Sequence, residues 1–397
     1  MTFEKGKVKL EALAKFAISL NIYSCLVYAI PLKNLLSGLP NITLTTLANI
    51  LLLILFLIIR VKRKYYVFLF LLTSYVLLVA IYNIKSVNVA YESNVIRGIV
   101  VITCFVALVD RFRIKKYIED VFVNVSKLAS CLVVLQLISV FFLGDVFFGI
   151  EYSTFLRASE GNIMFRVSPL NGDPNYFAYV MMPGVALLMM RILSKKFEMK
   201  TLLWFAFVFV CFLLTMSRGT IIAIVLGGGY LIISNLVNNK KTFRAIIILI
   251  ITVSLIPMAY NYISEARSTN ANSSSQQRLE IIKAQLNKID DSVFFGNSIS
   301  DSKVLVDGLK MGPHNLYIEV LSSYGIIAFT IFSILLVYCF YRRDKIEVLS
   351  TLVFMIGSVF LGLLIYQPFW MVFAFCISRG YENKDEYVKN NYFSLGN

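Results

Sequence analysis

Apolar runs of membrane-spanning length alternate with short polar segments along almost the whole chain. A spanning helix needs about 20 mostly apolar residues, and by that criterion the sequence contains about twelve candidate spans. Their approximate limits are 12–31, 42–59, 65–82, 95–110, 127–148, 176–193, 201–216, 220–236, 245–263, 315–341, 348–364 and 367–378. The last two are short, which also allows one broken helix. The pattern predicts an all-α polytopic integral membrane protein, with one membrane domain over residues 1–397.

Composition supports this class and argues against several others. The 397 residues are 58% hydrophobic and only 15% charged, well outside the range of soluble globular proteins. A net charge of +15 can indicate a protein that binds nucleic acid. Here, however, Lys and Arg lie in short clusters between apolar runs, so we expect no nucleic-acid partner. The six cysteines lie inside apolar runs without paired spacing, and there is one histidine, so neither disulfides nor a metal site are expected. We find no P-loop and no Rossmann fingerprint, and expect no cofactor.

The basic clusters predict the orientation. They occupy every second loop, which by the positive-inside rule places these loops and both termini in the cytoplasm. The first apolar run follows a polar, basic N-terminus and has no small-residue cleavage site after it, so we interpret it as a retained helix. The clusters are Arg60, Lys62, Arg63, Lys64; Arg111, Arg113, Lys115, Lys116; Lys195, Lys196, Lys200; Lys240, Lys241, Arg244; and Arg342, Arg343, Lys345.

Two longer loops then face outward, at residues 144–175 and 264–314, and neither is large enough to form a separate domain. In the second loop, apolar residues recur at helical spacing, which predicts an amphipathic helix on the membrane surface. Ser274 and Gln277 have the spacing of a capping box at its start. The apolar positions are Leu279, Ile282, Leu286 and Ile289.

The second outer loop ends at His314, the only histidine in the chain. Imidazole alone has an unperturbed pKa near neutrality, so a histidine where a polar loop meets a membrane helix is a candidate general base or proton shuttle. The alternative is a polar residue that is simply tolerated at a helix end.

Arginines accompany this histidine on the predicted outer side. Arg157 and Arg166 lie in the first outer loop, and Arg278 lies in the surface helix. Arg218 interrupts an apolar run, which is costly unless it faces an aqueous cavity or an anion; the alternative is a solvated turn. Guanidinium groups bind phosphate in bidentate fashion, so these arginines together suit a pyrophosphate.

Four further polar residues flank these positions. Asp173 and Asn175 lie in a turn-rich stretch before the sixth span, and Asn315 and Glu319 begin the tenth. Glu319 either orients a neighbour or caps the wet end of its helix, and we favour the structural role. The glycines of residues 227–229 indicate close helix packing.

The same residues, in this order, resemble the O-antigen ligase and polymerase family of bacterial membrane glycosyltransferases. The resemblance covers roughly residues 150–345. It rests on an ordered set of motifs: Arg166 with residues 172–178, residues 217–219 after an apolar helix, residues 278–284, and residues 313–315 with Ile318, Glu319, Tyr324 and Gly325.

The resemblance implies a metal-independent, inverting glycan transfer from an undecaprenyl pyrophosphate carrier to an acceptor hydroxyl, on the outer face of the cytoplasmic (inner) membrane. His314 would be the base, and Arg166, Arg218 and Arg278 would hold the pyrophosphate, with Arg157 in support. Membrane lipids, a chain-length regulator and a flippase are the further partners it suggests.

Within this family we favour a polymerase of O-antigen or capsule repeat units, because the outer loops are short and lack extra basic surface for a lipid A core. An O-antigen ligase is the alternative. A lipid-linked oligosaccharide flippase would be expected to show repeated halves and polar residues near the bilayer midplane, which the sequence lacks. A scaffold, in which the arginines only set topology, stays open.

Overall fold

The computed structural model describes most of the chain. The described residues are 2–27, 43–85, 87–143, 146–147, 150–151, 157–159, 162–164, 166–170, 173–194, 198–236, 271–289, 292–301, 303–306, 309–341 and 345–378. The candidate span at 245–263 and the basic cluster at Lys240, Lys241 and Arg244 lie outside them.

The described part is almost entirely helical. In chain order the helices are α1 (Thr2–Ser24), α2 (Leu44–Ile58), α3 (Arg63–Tyr82), α4 (Val89–Phe112), α5 (Lys115–Leu143), α6 (Pro174–Ser194), α7 (Met199–Leu213), α8 (Arg218–Leu236), α9 (Ala271–Ile289), α10 (Ser298–Asp301), α11 (Leu316–Phe340), α12 (Lys345–Ser358) and α13 (Gln367–Ile377). Three antiparallel hairpins occur in the two long loops: β1 (Val146–Phe147) with β2 (Ile150–Glu151), β3 (Arg157–Ser159) with β4 (Asn162–Met164), and β5 (Val304–Val306) with β6 (Leu309–Met311).

The helices support a multi-pass membrane protein. Five described segments are long and apolar enough to cross a membrane. They are Val8–Val27, Arg63–Tyr82, Lys115–Ser139, Pro174–Leu193 and Leu316–Phe340. Five shorter apolar helices accompany them, and the count of about twelve spans stays a prediction.

Two predicted elements have wrong boundaries. The span placed at 127–148 is a helix that begins at Lys115 and ends at Leu143, because its first turns carry charged residues that a hydropathy criterion passes over. The surface helix begins at Ala271, so Ser274 lies inside it and not at its N-cap.

The bundle has two chemically different ends. We call one the basic end, where the α2–α3 turn, the start of α5 and the end of α13 meet. There the ammonium of Lys62 lies 2.8 Å from the Asp110 carboxylate, and Lys115 donates to the Ser378 carbonyl oxygen. The opposite end, where α6, α8, α11 and α13 begin, is the site end.

The chain reverses between α12 and α13, so these are two helices and not one broken helix.

The core centres on α6 and α13. Residues 177–190 of α6 are buried without exception, as is the whole of α13. Small residues permit the close approach of neighbouring helices, as is common in membrane bundles. A Cβ at Gly98 of α4 would lie 2.1 Å from the Trp370 ring on α13, and one at Gly227 of α8 would lie 2.5 Å from a methyl of Val353 on α12. The predicted packing role of the glycine run is therefore confirmed at Gly227.

Helix α11 is kinked at Gly325, which has φ 71° and ψ −174°. The backbone groups that the kink releases are bonded by other segments. The Ile326 amide donates to the Val293 carbonyl oxygen at 2.9 Å, and the Ser322 carbonyl oxygen accepts from the Asn297 amide at 2.9 Å. The break in α11 is therefore filled by residues 292–297, as irregular backbone in a membrane protein requires.

Candidate functional site

Arg166 joins the loop 144–175, which is predicted to face outward, to the turn between α7 and α8. Its Nε donates to the Thr215 carbonyl oxygen at 3.1 Å, and its Nη2 donates to Asn175 Oδ1 at 3.0 Å and, more weakly, to the Met216 carbonyl oxygen at 3.5 Å. These bonds fix the plane of a half-buried guanidinium group.

Asp173 begins α6 and orients Asn175. Its Oδ1 accepts from the amide of Asn175 at 2.7 Å and from that of Tyr176 at 3.4 Å, which satisfies donors that a helix N-terminus leaves unpaired. The turn-rich stretch therefore works as a helix cap that presents the Asn175 oxygen to Arg166.

Arg218 follows directly after the turn that Arg166 bonds. The turn contains Met216 at φ 52°, an uncommon conformation for a non-glycine residue and one that clusters at ligand sites. Arg218 is the first residue of α8 and is exposed, whereas its neighbours Ser217 and Gly219 are buried. An exposed arginine that opens a helix at the site end fits both the anion-binding and the solvated-turn interpretation.

The segment between α12 and α13, residues 359–366, lies at the centre of the site end, and the sequence interpretation missed it. The Tyr176 hydroxyl donates to the Gly362 carbonyl oxygen at 3.1 Å. A Cβ at Gly362 would lie 2.1 Å from the Pro313 carbonyl oxygen, so only glycine permits this approach. A Cβ at Gly219 would lie 2.4 Å from that of Phe360. The segment thus touches α6, the start of α8 and the residue before His314.

His314 is exposed and stands one residue before the N-cap of α11. The cap is Asn315, whose Oδ1 accepts from the amides of Tyr317 at 2.9 Å and Ile318 at 3.2 Å. Asn315 therefore fixes where α11 starts, and with it the backbone that carries His314.

Glu319 lies one turn further along α11 and is buried. Its Oε2 accepts from the amides of Leu363 at 2.6 Å and Leu364 at 3.1 Å. The carboxylate therefore binds the backbone of the segment 359–366 and does not cap the wet end of its own helix. Together with the contact of Gly362 on Pro313, this fastens the start of α11 to that segment.

Glu92, which precedes the predicted span 95–110, anchors the loop 264–314 to α4; this loop is also predicted to face outward. One oxygen of Glu92 accepts from the Ile299 amide at 3.0 Å and the other from the Tyr324 hydroxyl at 2.6 Å. Burial raises the pKa of the Glu92 carboxyl above its ordinary value, and these two hydrogen bonds partly offset the rise. Nearby, the Lys303 ammonium donates to the Tyr91 hydroxyl at 2.8 Å.

For Arg278 and Arg157 the structure describes the backbone. Position 278 lies in α9, seven residues from Gln285, so the two positions share one helix face. Gln285 is fully buried, and neither atom of its amide is hydrogen-bonded within the described part of the chain. Position 157 lies in β3, paired with Met164. The predicted apolar stripe is confirmed at Ile289, which is buried, and wrong at Leu286, which is 47% exposed; Ile281, outside the stripe, is buried.

The structure thus brings seven predicted residues to one end of the bundle: Arg166, Asp173, Asn175, Arg218, His314, Asn315 and Glu319. Tyr176 and Gly362 connect them. Tyr176 lies in the motif at residues 172–178 but had no predicted role, and Gly362 was not predicted. The signal of Gly362 is weak, because a single glycine between two short apolar runs is common in membrane helices.

A comparison with known protein families matches residues 202–333 to the O-antigen ligase family. The match begins in α7 and ends within α11, so it contains Arg218, position 278, His314 and Glu319, and leaves out Arg166. No curated protein matches the chain.

Proposed function

We propose that this multi-pass membrane protein is a polymerase that joins repeat units of a surface polysaccharide, O-antigen or capsule. The match of residues 202–333 supports an enzyme of the O-antigen ligase and polymerase family. The donor is glycan on undecaprenyl pyrophosphate, and the acceptor is a sugar hydroxyl of a second unit. The observation that carries the proposal is that His314 and two of the three arginines stand at one end of the bundle, where their neighbours Pro313, Gly219 and Tyr176 all contact the segment 359–366.

Two arginines form the anion clamp around the α7–α8 turn. Arg166 bonds the carbonyl oxygens of Thr215 and Met216, and Arg218 starts the next helix two residues later. A fixed guanidinium group stabilises negative charge without reorganising during the reaction. The helix N-terminus at Arg218 favours an anion as well. Arg278 completes the clamp from the second outer loop, and Arg157 supports it from β3.

His314 is the general base. The acceptor hydroxyl oxygen attacks the anomeric carbon from the side opposite the pyrophosphate, and the carbon–oxygen bond to pyrophosphate breaks with its electron pair on the leaving oxygen. The hydroxyl proton passes to a ring nitrogen of His314 and from there to water. The configuration inverts, the arginines balance the charge of the leaving group, and no metal is needed for that role.

The site end faces the outside of the inner membrane in this proposal, and both termini lie in the cytoplasm. The basic end supports this orientation, since cytoplasmic loops carry the excess of Lys and Arg. The donor then arrives from a flippase, and a chain-length regulator is a further partner.

The test is a gel of surface polysaccharide from a deletion strain that is complemented with the wild type or with His314→Ala. We expect His314→Ala to lose the long ladder while single units remain attached to lipid A core or to the corresponding acceptor. General bases contribute about 10²–10⁴-fold to rate, so the loss should be close to complete. Gly312→Ala is the matched control, because a Cβ there meets nothing within 4 Å.

Other outcomes separate the alternatives. Loss of every attached unit, with polymer accumulating on the lipid carrier, would identify a ligase. A normal ladder from His314→Ala would show that His314 is not the base. An unchanged ladder in the deletion strain itself would overturn the whole proposal and favour a transporter or a scaffold.

A further inference from the structure

A groove runs along the bundle away from the site, between α3 and α11. Near the basic end it widens to a cavity of about 310 Å³. Polar groups line this cavity from three helices: Lys64 from α3, Asp110 from α4 and Tyr338 from α11. Nothing in the proposed reaction uses this cavity.

A second, apolar cavity of about 90 Å³ continues the groove toward the middle of the bundle. The two cavities share Phe68, Ile102 and Leu335 as lining residues. On α3 the lining extends from Lys64 to Val76, which is about 18 Å of helix at 1.5 Å per residue. One leaflet of the hydrocarbon core is about 15 Å thick, so the groove has the depth of a single leaflet.

The wide end of the groove is electropositive. It lies at the N-terminus of α3, where Lys62, Arg63 and Lys64 follow one another and no acidic residue occupies the first turn. Lys62, the N-cap residue, does not cap the helix with its side chain, so the dipole of α3 adds to the positive charge. Asp110, the one carboxylate among the described lining residues, accepts from the Lys62 ammonium and from the Tyr65 hydroxyl, both at 2.8 Å. A negatively charged head group is therefore complementary to this end.

At the opposite end of the groove, a hydrogen bond between α3 and α11 closes it. The Tyr75 hydroxyl of α3 donates to the Tyr324 carbonyl oxygen of α11 at 2.6 Å, where α11 is kinked. Lys64 and Tyr338 at the wide end are exposed. The apolar tail of a lipid therefore enters the groove from the basic end. The polyprenyl tail of the donor does not fit this direction, because its pyrophosphate lies at the site end.

We propose that this groove binds an anionic glycerophospholipid from the leaflet at the basic end. The phosphate lies at the N-terminus of α3 beside Lys64, and one acyl chain extends past Phe68 toward Ala328. Basic pockets between membrane helices on the cytoplasmic side bind anionic head groups in this way. The lipid would hold α3, the most exposed of the long helices, against the rest of the bundle.

The experiment uses the full chain, purified in detergent and stripped of lipid. Thermal unfolding is measured during titration with dioleoyl phosphatidylglycerol or with dioleoyl phosphatidylcholine, which has the same chains and no net charge. We expect phosphatidylglycerol to raise Tm at lower concentration. Lys64→Ala should weaken the binding of phosphatidylglycerol about fivefold, which is the effect of one basic residue near a lipid surface. Lys200→Ala, an exposed lysine on α7 at the same end, is the matched control and should leave binding unchanged.

A second variant tests the acyl chain. Ala328 lines the apolar cavity, so Ala328→Leu should fill it and remove the Tm shift with either lipid. Equal shifts with both lipids, or an unchanged phosphatidylglycerol shift in Lys64→Ala, would overturn the head-group assignment. Displacement of phosphatidylglycerol by undecaprenyl pyrophosphate would show that the donor chain occupies the groove. If Ala328→Leu does not fold, Lys64→Ala still tests the proposal, because Lys64 is exposed and its substitution should not disturb the fold.

Discussion

The two ends of the bundle are held together by different means. At the basic end, two ion pairs with at least one exposed partner join helix ends: Lys62 with Asp110, whose side chains are 62% and 12% exposed, and Arg191 with Asp120, at 24% and 57%. One buried side chain, Lys115, also donates there to the Ser378 carbonyl oxygen. At the site end, buried side chains bind backbone that is not helical, as Glu319 does.

The difference follows from where water is available. A helix end in water needs no fixed partner, and exposed ion pairs contribute little there. A kinked helix or an extended segment that is buried in the protein must have each backbone group satisfied by protein. The irregular backbone of the site end therefore requires particular residues, whereas the ion pairs of the basic end require only charge. Substitutions at the two ends should differ accordingly.

The largest expected difference concerns two glycines. Gly325 has φ 71° and ψ −174°, a region that is almost restricted to glycine, and a Cβ there would lie 2.2 Å from the Phe294 carbonyl oxygen. We expect Gly325→Ala to reduce the free energy of unfolding by about 4 kcal/mol. Gly229→Ala, in helix α8 with nothing within 4 Å of the added Cβ, should gain up to about 1 kcal/mol instead.

Thermal and denaturant unfolding of both variants in detergent would measure this. Gly325→Ala should also lose polymer, since the kink holds residues 292–297 against α11. Equal stability of the two variants would show that the kink is not required for the fold.

The second prediction compares two substitutions of Glu319. Glu319→Leu leaves the amides of Leu363 and Leu364 without their acceptor, and each buried unsatisfied group costs about 1–3 kcal/mol. We therefore expect a loss of about 3 kcal/mol. Glu319→Gln keeps an oxygen acceptor and should lose about 1 kcal/mol.

Activity assays on the same pair sharpen this comparison. If Glu319 holds the start of α11 in place, polymer synthesis should follow stability, low in Glu319→Leu and mostly retained in Glu319→Gln. Equal and complete loss in both, with Glu319→Gln stably folded, would mean that the charge itself acts in the reaction.

The sequence predicts the helices well because the apolar runs are local. It also predicts the boundary at His314 and Asn315, since the change from polar loop to apolar span is sharp there. Helix α5 begins earlier than predicted, because charged residues fill its first turns and a hydropathy criterion cannot tell a charged helix from a loop. It also ends earlier, at Leu143, because the apolar run continues into the short strand β1. The three hairpins are missed because strands of two or three residues leave no pattern of alternation.

The site is only partly predictable, because its connections are long-range. Arg166 and Arg218 attract attention as charges in an apolar sequence, but the turn that joins them is seen only when α7 and α8 are packed. Glu319 accepts from backbone amides 44 and 45 residues away. Every residue except proline has such an amide, so the side chains of Leu363 and Leu364 do not indicate that these are the partners. The same holds for Gly325, since its kink is filled by a distant segment.

The smallest expected effect lies at the basic end and has a distinct salt dependence. The carboxylate of Asp120 lies 2.5 Å from the Arg191 guanidinium, but both side chains are partly exposed, and such pairs contribute about 0.5 kcal/mol. Arg191→Gln should lose about that amount at low salt and leave polymer synthesis unchanged. The loss should vanish near 1 M NaCl, where the Debye length falls to about 3 Å. The loss in Glu319→Leu should persist, since it arises from buried amides and not from screened charge. A salt-independent loss in Arg191→Gln would mean that packing of the arginine stem stabilises the basic end, and the two ends would then differ less than their exposure indicates.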